Sequence, residues 1–413
     1  MSTSGCNRAV AIALAATAAT LALTLSPRAG AADWPCYRGP DHNGISRETN
    51  WVSTWPAEGP TVAWKSKVGL GFSSFVISNG RAVTTGHADD QDTVWCFDAA
   101  TGKELWKHSF PAELGDKFFE GGTTGTPTLS GDRVYSLNRW GEVHCLDAAT
   151  GKVVWNKNVA TETGIRVPGW GFGGAPLVLD SLLLLNVGDA GVALDKASGA
   201  VIWKSANKDA GYSSPLPFQR QGTWYAAFGS GQSYLAVDVK SGKEAWRIRW
   251  LTQYGVNATD PILDGDLVFF STGYGKGAGQ FRLGDGEPQS VWKSRTFHTQ
   301  MNTAVRLGDF LYGVDGDTTE RGSLKCVDWK TGEEKWAFAD VGPGSVTAAG
   351  DRLLVMTDRG ELLAGPASPE GFKPTARAQV LGGKCWIVPA LANGRLYCRN
   401  ARGDVAVLDL RIK

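Results

Sequence analysis

Little in this chain invites nucleic acid, covalent haem or a metal ion. Its 42 Lys and Arg residues balance 41 Asp and Glu for a net charge of +1, and no basic run breaks that balance. A nucleic-acid or anionic-lipid surface is therefore not expected. Only five histidines occur, at positions 42, 87, 108, 144 and 298, without the spacing of a zinc site. There is no Cys-x-x-Cys-His for haem attachment, and no Gly-x-Ser-x-Gly to anchor hydrolase chemistry. Gly-Tyr-Gly-Lys-Gly at 273 to 277 has the wrong spacing for a phosphate loop, and no helix is expected after it. Asp89-Asp90-Gln91-Asp92 lacks the glycine and distal glutamate of a calcium loop, and reads as solvated.

Long apolar runs are equally scarce. The one present, Ala9 to Leu25, follows Arg8 and precedes Ala29-Gly30-Ala31, the pattern of a secretory signal with its cleavage site. The run is short beside the roughly 20 residues of a membrane span. No cysteine closes it, so lipid attachment is not indicated. Residues 1–31 are read as a signal peptide, 32–60 as an N-terminal segment and 61–413 as the folded body. Cleavage would remove Arg8 and Arg28, taking the net charge from +1 to −1. Export to the periplasm is expected, with outer-membrane association compatible and no transmembrane span after cleavage.

Cysteine is sparse, at seven residues, and Cys6 would leave with the leader. Cys96, Cys145 and Cys326 each stand two residues before a recurring aspartate, an equivalent strand position suited to small buried hydrophobes. Cys385 and Cys398 flank Asn393-Gly394 but are four residues out of hairpin register, about 13 Å along a strand and too far for a disulfide. Cys36 has no evident partner.

What the chain has in abundance is glycine, 53 residues, and tryptophan, 17. Both follow a repeat. Asp98-Ala-Ala-Thr-Gly-Lys-Glu-Leu-Trp106 recurs as Asp147 to Trp155, Asp195 to Trp203, Asp238 to Trp246 and Asp328 to Trp336. A worn copy runs from Gly284 to Trp292. A more worn one, Gly365 to Lys373, puts Phe372 near the Trp place, and Trp64 ends a half-copy. These marks make eight, at a period of roughly 40 to 50 residues, the range of propeller blades. The unit reads as a hairpin: a strand ends in Asp, Thr-Gly shapes the turn, and the next strand delivers an indole wedge.

A second count uses different residues. Turn pairs recur at Asn79-Gly80, Gly131-Asp132, Asp180-Ser181, Gln221-Gly222, Asp264-Gly265, Gly308-Asp309, Gly350-Asp351 and Asn393-Gly394, again eight. Pro127, Pro176, Pro215, Pro261 and Pro389 precede five of them; proline gives no ladder donor, so it marks the edge strand that lines a propeller axis. The expected fold is all-β: an eight-bladed β-propeller of four-stranded antiparallel blades. The last blade lacks its outer strand, and the strand around Trp64 is expected to supply it and close the ring.

The Asp-x-x-Thr-Gly-Lys-x-x-Trp repeat resembles that of the PQQ-like propeller family, which includes BamB-like assembly factors and PQQ-dependent dehydrogenases. The resemblance covers roughly Asp33 to Asp409. The opening Asp33-Trp34-Pro35-Cys36-Tyr37-Arg38-Gly39-Pro40 with Asn43-Gly44 is similar to exported bacterial members of unassigned activity. The dehydrogenases carry a vicinal Cys-Cys against the cofactor, and this chain has none. The resemblance therefore implies a non-enzymatic, monomeric binding or scaffold protein with no cofactor and a protein or glycan partner in the envelope. The alternative is a quinoprotein dehydrogenase of an alcohol or sugar, holding PQQ and calcium. In either case the loops leading into the inner strands should converge on one mouth. There they offer Glu120, Arg166, Trp170, Tyr212, Asn257, Asp260, His298, Asn302, Lys384 and Trp386 to a flat anionic ligand or a sugar.

Overall fold

A computed structural model describes residues 1–2, 33–318 and 321–412. The expected signal peptide, its cleavage site and Cys6 lie outside the described residues. The fold below is that of the compact unit Ala31–Lys413.

Eight sheets account for all of its described strands. Blade 1 runs Val76–Ser78, Arg81–Ala88, Gln91–Asp98 and Glu104–Pro111, strands A to D in antiparallel order. Blades 2 to 7 begin with strands A at Thr128–Ser130, Leu177–Leu179, Leu216–Arg220, Ile262–Asp264, Val305–Leu307 and Ser345–Ala349. Blade 8 has strands A to C at Ala390–Ala392, Arg395–Arg399 and Asp404–Asp409, and takes Thr61–Lys67 as its outer strand D. Val407 faces Trp64 across that closing pair.

The tight turns divide into two chemistries. At Asn79-Gly80, Gln221-Gly222 and Asn393-Gly394 both residues have positive φ; at Gly131, Gly308 and Gly350 only the glycine does, and Asp follows it. Both are turns whose twist suits a hairpin. In blade 5 the expected pair is displaced by one residue: Asp264 pairs with Leu267, so the turn is Gly265-Asp266, matching the other Gly-Asp turns. Each of the five expected prolines directly precedes strand A. There a belt of polar bonds ties neighbouring blades. Thr128 donates to the Pro176 carbonyl at 2.6 Å, Thr347 to Pro389 at 2.8 Å, and Ser74 to Val388 at 2.6 Å.

Tryptophans close the seams farther out. The indole N–H of Trp106 donates to the Ala148 carbonyl of blade 2 at 3.0 Å. Gly151 lies so close to the ring that a Cβ there would meet it at 2.5 Å, so only glycine allows this approach. The repeat aspartate shapes that turn: Asp147 Oδ1 accepts the N–H groups of Ala149 and Thr150 and the Thr150 hydroxyl.

Two worn repeats differ from their expected alignment. In blade 5 Gln280 pairs with Trp292 as Cys96 pairs with Trp106, so Arg282, not Gly284, holds the aspartate's place. The turn is lengthened to fit. In blade 7 Ala364 pairs with Ala376, which makes Ala376 the equivalent of the tryptophan. Phe372 stays in the turn and stacks on Trp336, centroids 6.3 Å apart. The blade count of eight stands, but the eighth wedge is missing. Trp51 and Trp55 of the N-terminal segment pack instead on the apolar cluster shared by blades 7 and 8.

That segment also crosses the axis. Trp34 bonds reciprocally with Ile77 of blade 1, and the Pro35 carbonyl accepts from Leu129 of blade 2. Arg38 then reaches blade 6, on the opposite side of the ring, donating to the Thr303 and Ala304 carbonyls at 2.7 and 2.8 Å. Ile45–Ser46 adds a short parallel strand to blade 7. All six cysteines among the described residues are free and buried, and Ala392 pairs with Arg395, the register that sets Cys385 and Cys398 out of step.

Candidate functional site

The segments leading into strands A converge on a cavity of about 860 Å³, and Tyr37 lies in its wall. Arg38, next to it in sequence, is held by the backbone carbonyls of Thr303 and Ala304, just before strand A of blade 6.

The walls are aromatic. Trp170 contacts Phe118 at 5.2 Å and stands edge-on to Tyr212 at 6.0 Å between ring centroids; across the mouth, Phe72 meets Phe119 at 5.6 Å and Trp386 at 6.0 Å. Lys384 sits 4.1 Å over the Trp386 ring and ion-pairs with Glu120. Partial burial works the other way, but the bond from Lys384 holds the Glu120 carboxyl below its ordinary range.

Lower down, the polar groups are those of the inter-blade belt. Asp260 is buried; its Oδ1 accepts the Ser214 N–H at 2.7 Å, and its backbone N–H donates to Thr303 Oγ1 at 2.7 Å. Its Oδ2 lies 3.9 Å from Arg38 Nε. Burial pushes Asp260 up to about 6, against the smaller opposing pulls of Arg38 and the Ser214 amide. Desolvation thus outweighs attraction, as is usual for a buried pair at this separation. Burial likewise raises Tyr212 to about 12 and raises Tyr37. Asn302 clamps the ring by donating to the Gly344 and Trp386 carbonyls at 2.8 and 2.9 Å.

Seven of the ten expected residues line this cavity: Glu120, Trp170, Tyr212, Asp260, Asn302, Lys384 and Trp386. The other three do not. Arg166 turns outward to an exposed ion pair with Asp209 at 2.6 Å. Asn257 is fully buried and donates to the Ser230 and Trp250 carbonyls, tying a loop together. His298 is held by Asp315, which accepts its backbone N–H at 2.6 Å, away from the cavity. Sequence reasoning missed Tyr37, Phe72, Phe118 and Phe119. The phenylalanines could have been found by counting back from strand A in blades 1 and 2; nothing local marks Tyr37.

A family model described as outer membrane protein assembly factor BamB matches residues 48–124 and 90–338. No curated protein sequence matches significantly. Among solved structures, BamB from Moraxella catarrhalis is similar at a TM-score of 0.64 and 18% identity, over 85% of this chain and all of that one. Quinohemoprotein alcohol dehydrogenase from Comamonas testosteroni is similar at 0.66 and 15%, over 92% of this chain and 81% of that one. A europium-containing methanol dehydrogenase is similar at 0.65 and 12%, over 92% and 89%. At these identities the structural likeness is one of fold. The repeat, the eight blades and the family match together place the chain: it belongs to the PQQ-like β-propeller family, the family of BamB.

Proposed function

We propose that the mature chain is a non-enzymatic binding protein of the cell envelope, taking a neutral glycan in the aromatic mouth of its propeller. One observation carries the reading: a cavity of about 860 Å³ walled by indole and phenyl faces, in which Glu120 and Asp260 are set against Lys384 and Arg38. Sugars stack their C–H faces on such rings, and the size suits a short oligosaccharide. Lys384 is engaged by Glu120, which argues against a free anionic ligand. Export is supported by the Ala29-Gly30-Ala31 site, and no helix among the described residues is long and apolar enough to cross a membrane. Intact mass of the exported protein tests cleavage after Ala31.

The residues present do not fit a PQQ–calcium pair. Among the described residues no three Asp, Glu, His or Cys side chains converge as a metal site. Asp260 has one oxygen on an amide and the other toward Arg38. None of the six described cysteines lines the cavity.

The test is calorimetric titration with neutral oligosaccharides of graded length, alongside reconstitution with PQQ and calcium. Saturable binding of an oligosaccharide without dye reduction is the expected result. Stoichiometric quinone binding with turnover, lost in Asp260→Asn, would make the protein a dehydrogenase instead.

A further inference from the structure

Three of the five histidines gather in one seam, between blades 1 and 2. His108, on strand D of blade 1, and His144, on strand C of blade 2 (Glu142–Asp147), bring their rings within 5.0 Å between centroids. Phe110 packs against both, 4.1 Å from His144 and 5.8 Å from His108. His144 is 3% exposed, and neither its Nδ1 nor the Nε2 of His108 has a hydrogen-bond partner among the described residues. Ser136, which faces His144 across strands B and C, has an unpartnered hydroxyl as well. At the same place, three residues before the repeat aspartate, blades 3 and 4 carry the buried Val192 and Leu235. An imidazole there is a departure from the repeat.

The charged groups on the surrounding strands are already engaged. Asp92 holds His87 at 2.8 Å and Asn138 at 3.1 Å, and Glu142 accepts from Asn158 at 3.0 Å. Arg133 pairs with Asp132 and Lys157 with Glu162, both at 2.7 Å. No carboxylate acts on either imidazole of the pair. Burial lowers both, His144 to about 4 with a further push from His108. The unfolded chain takes up these protons near 6.5, and the packed seam does not. Seam stability is therefore whole above pH 6.5 and is lost as pH falls toward 4. Burial raises the Asp92 carboxyl, an effect of opposite sign that a His144 variant keeps and a comparison cancels. Strand D runs on from Phe110 into the loop that carries Phe118, Phe119 and Glu120 to the mouth. Blade 2 fastens that loop through the turn between its strands B and C. There Trp140 donates its indole N–H to the Glu113 carbonyl at 2.8 Å, and Arg139 donates to the Leu114 carbonyl at 3.3 Å and lies 4.9 Å over the Phe119 ring.

We propose that the seam between blades 1 and 2 is an acid-sensitive latch on the mouth. Protons taken by His108 and His144 put like charges side by side in a wall that offers them no acceptor, and the end of strand D parts from blade 2. The face of Phe110 attracts an imidazolium, but by less than the hydration the ring gives up. The loop after Pro111 then loses its fastening to Arg139 and Trp140, and Phe118, Phe119 and Glu120 leave the mouth. The latch works whatever ligand the mouth takes, and it does not rest on the glycan reading.

The test is hydrogen exchange of the mature protein at pH 7 and pH 4.5, corrected for intrinsic rates. Protection in Glu104–Pro111 and the loop after it should fall about fifty-fold or more beyond any change in strand D of blade 4, Glu244–Arg249. His144→Phe should cancel that excess, and His108→Gln, which removes the neighbouring charge, should reduce it. An NMR titration of the His144 ring in the unmodified protein needs no variant, and a folded midpoint well below 6.5 is expected. A midpoint at 6.5, an equal loss of protection in the two blades, or an undiminished excess in His144→Phe overturns the proposal.

Discussion

Trp106 joins two blades through one side chain: its ring fills the seam, Gly151 lies on its face and Ala148 takes its N–H. Trp106→Ala is expected to destabilise the ring by about 3–5 kcal/mol, the scale for an aromatic removed from a core. Trp106→Phe keeps most of the apolar packing but leaves a carbonyl unpaired, and should cost about 1–3 kcal/mol. Denaturant unfolding of the two variants measures both, and an unchanged midpoint for the alanine variant would refute the seam role. Asp260 makes the opposite kind of contribution. Its folded value, about 6, lies above its ordinary 3.8, so the folded state holds this proton more tightly than the unfolded chain does. The cost of ionising it in place is fully present above pH 6 and fades as pH falls toward 4. Asp260→Asn removes that cost. The stability of the variant relative to the wild type should therefore fall by about 2–3 kcal/mol between pH 7 and pH 4. Repeat aspartates such as Asp238, held low by turn N–H groups against a desolvation that opposes them, lose stability in the usual sense as pH drops. The difference between the two proteins cancels them.

At the level of elements, most hairpins follow from short-range chemistry. Two-residue turns rich in Gly, Asn and Asp mark the eight A–B pairs, and Asp with Thr-Gly or Ser-Gly specifies five C–D pairs. Where that chemistry fails, prediction fails with it. Without an aspartate, blade 5 lengthened its turn and blade 7 left Phe372 there, because only the local cap holds strand D in register. The strand Thr61–Lys67 carries a different burden. It covers the edge of Asp404–Asp409 and brings Trp64 to the Ala99 carbonyl of blade 1. A chain beginning after Lys67 should lose cooperative melting and self-associate through that bare edge. Light scattering and calorimetry would show it; a monomer melting as the wild type does would mean that the ring closes without the strand.

For the whole molecule, a ring of eight blades surrounds an axis, and the N-terminal segment crosses it. Arg38 bonds to the carbonyls just before strand A of blade 6, and Tyr37 lines the cavity. The mouth is built from side chains of many loops, among them Phe72, Glu120, Trp170, Lys384 and Trp386. Trp386→Ala should weaken the oligosaccharide about ten-fold or more, a typical loss for a stacked aromatic anchor. The melting midpoint should stay near that of the wild type. A large fall in midpoint would instead make Trp386 a structural wedge.

Repetition is what made the fold readable from sequence. Periodic Asp, Thr-Gly and Trp are local signals repeated until chance is excluded, and they determine blade number, strand order and closure. Seven of the ten expected mouth residues followed from placing the loops before strands A. Position in a loop does not say which way a side chain turns, however, and Arg166, Asn257 and His298 found partners elsewhere. What no local signal could supply was decided by tertiary structure. Tyr37 and Arg38 are about 220 to 265 positions in sequence from Asp260, Thr303 and Ala304, and only ring closure brings them together. The same holds for the imidazoles of His108 and His144, which belong to neighbouring blades and meet only when the two blades pack.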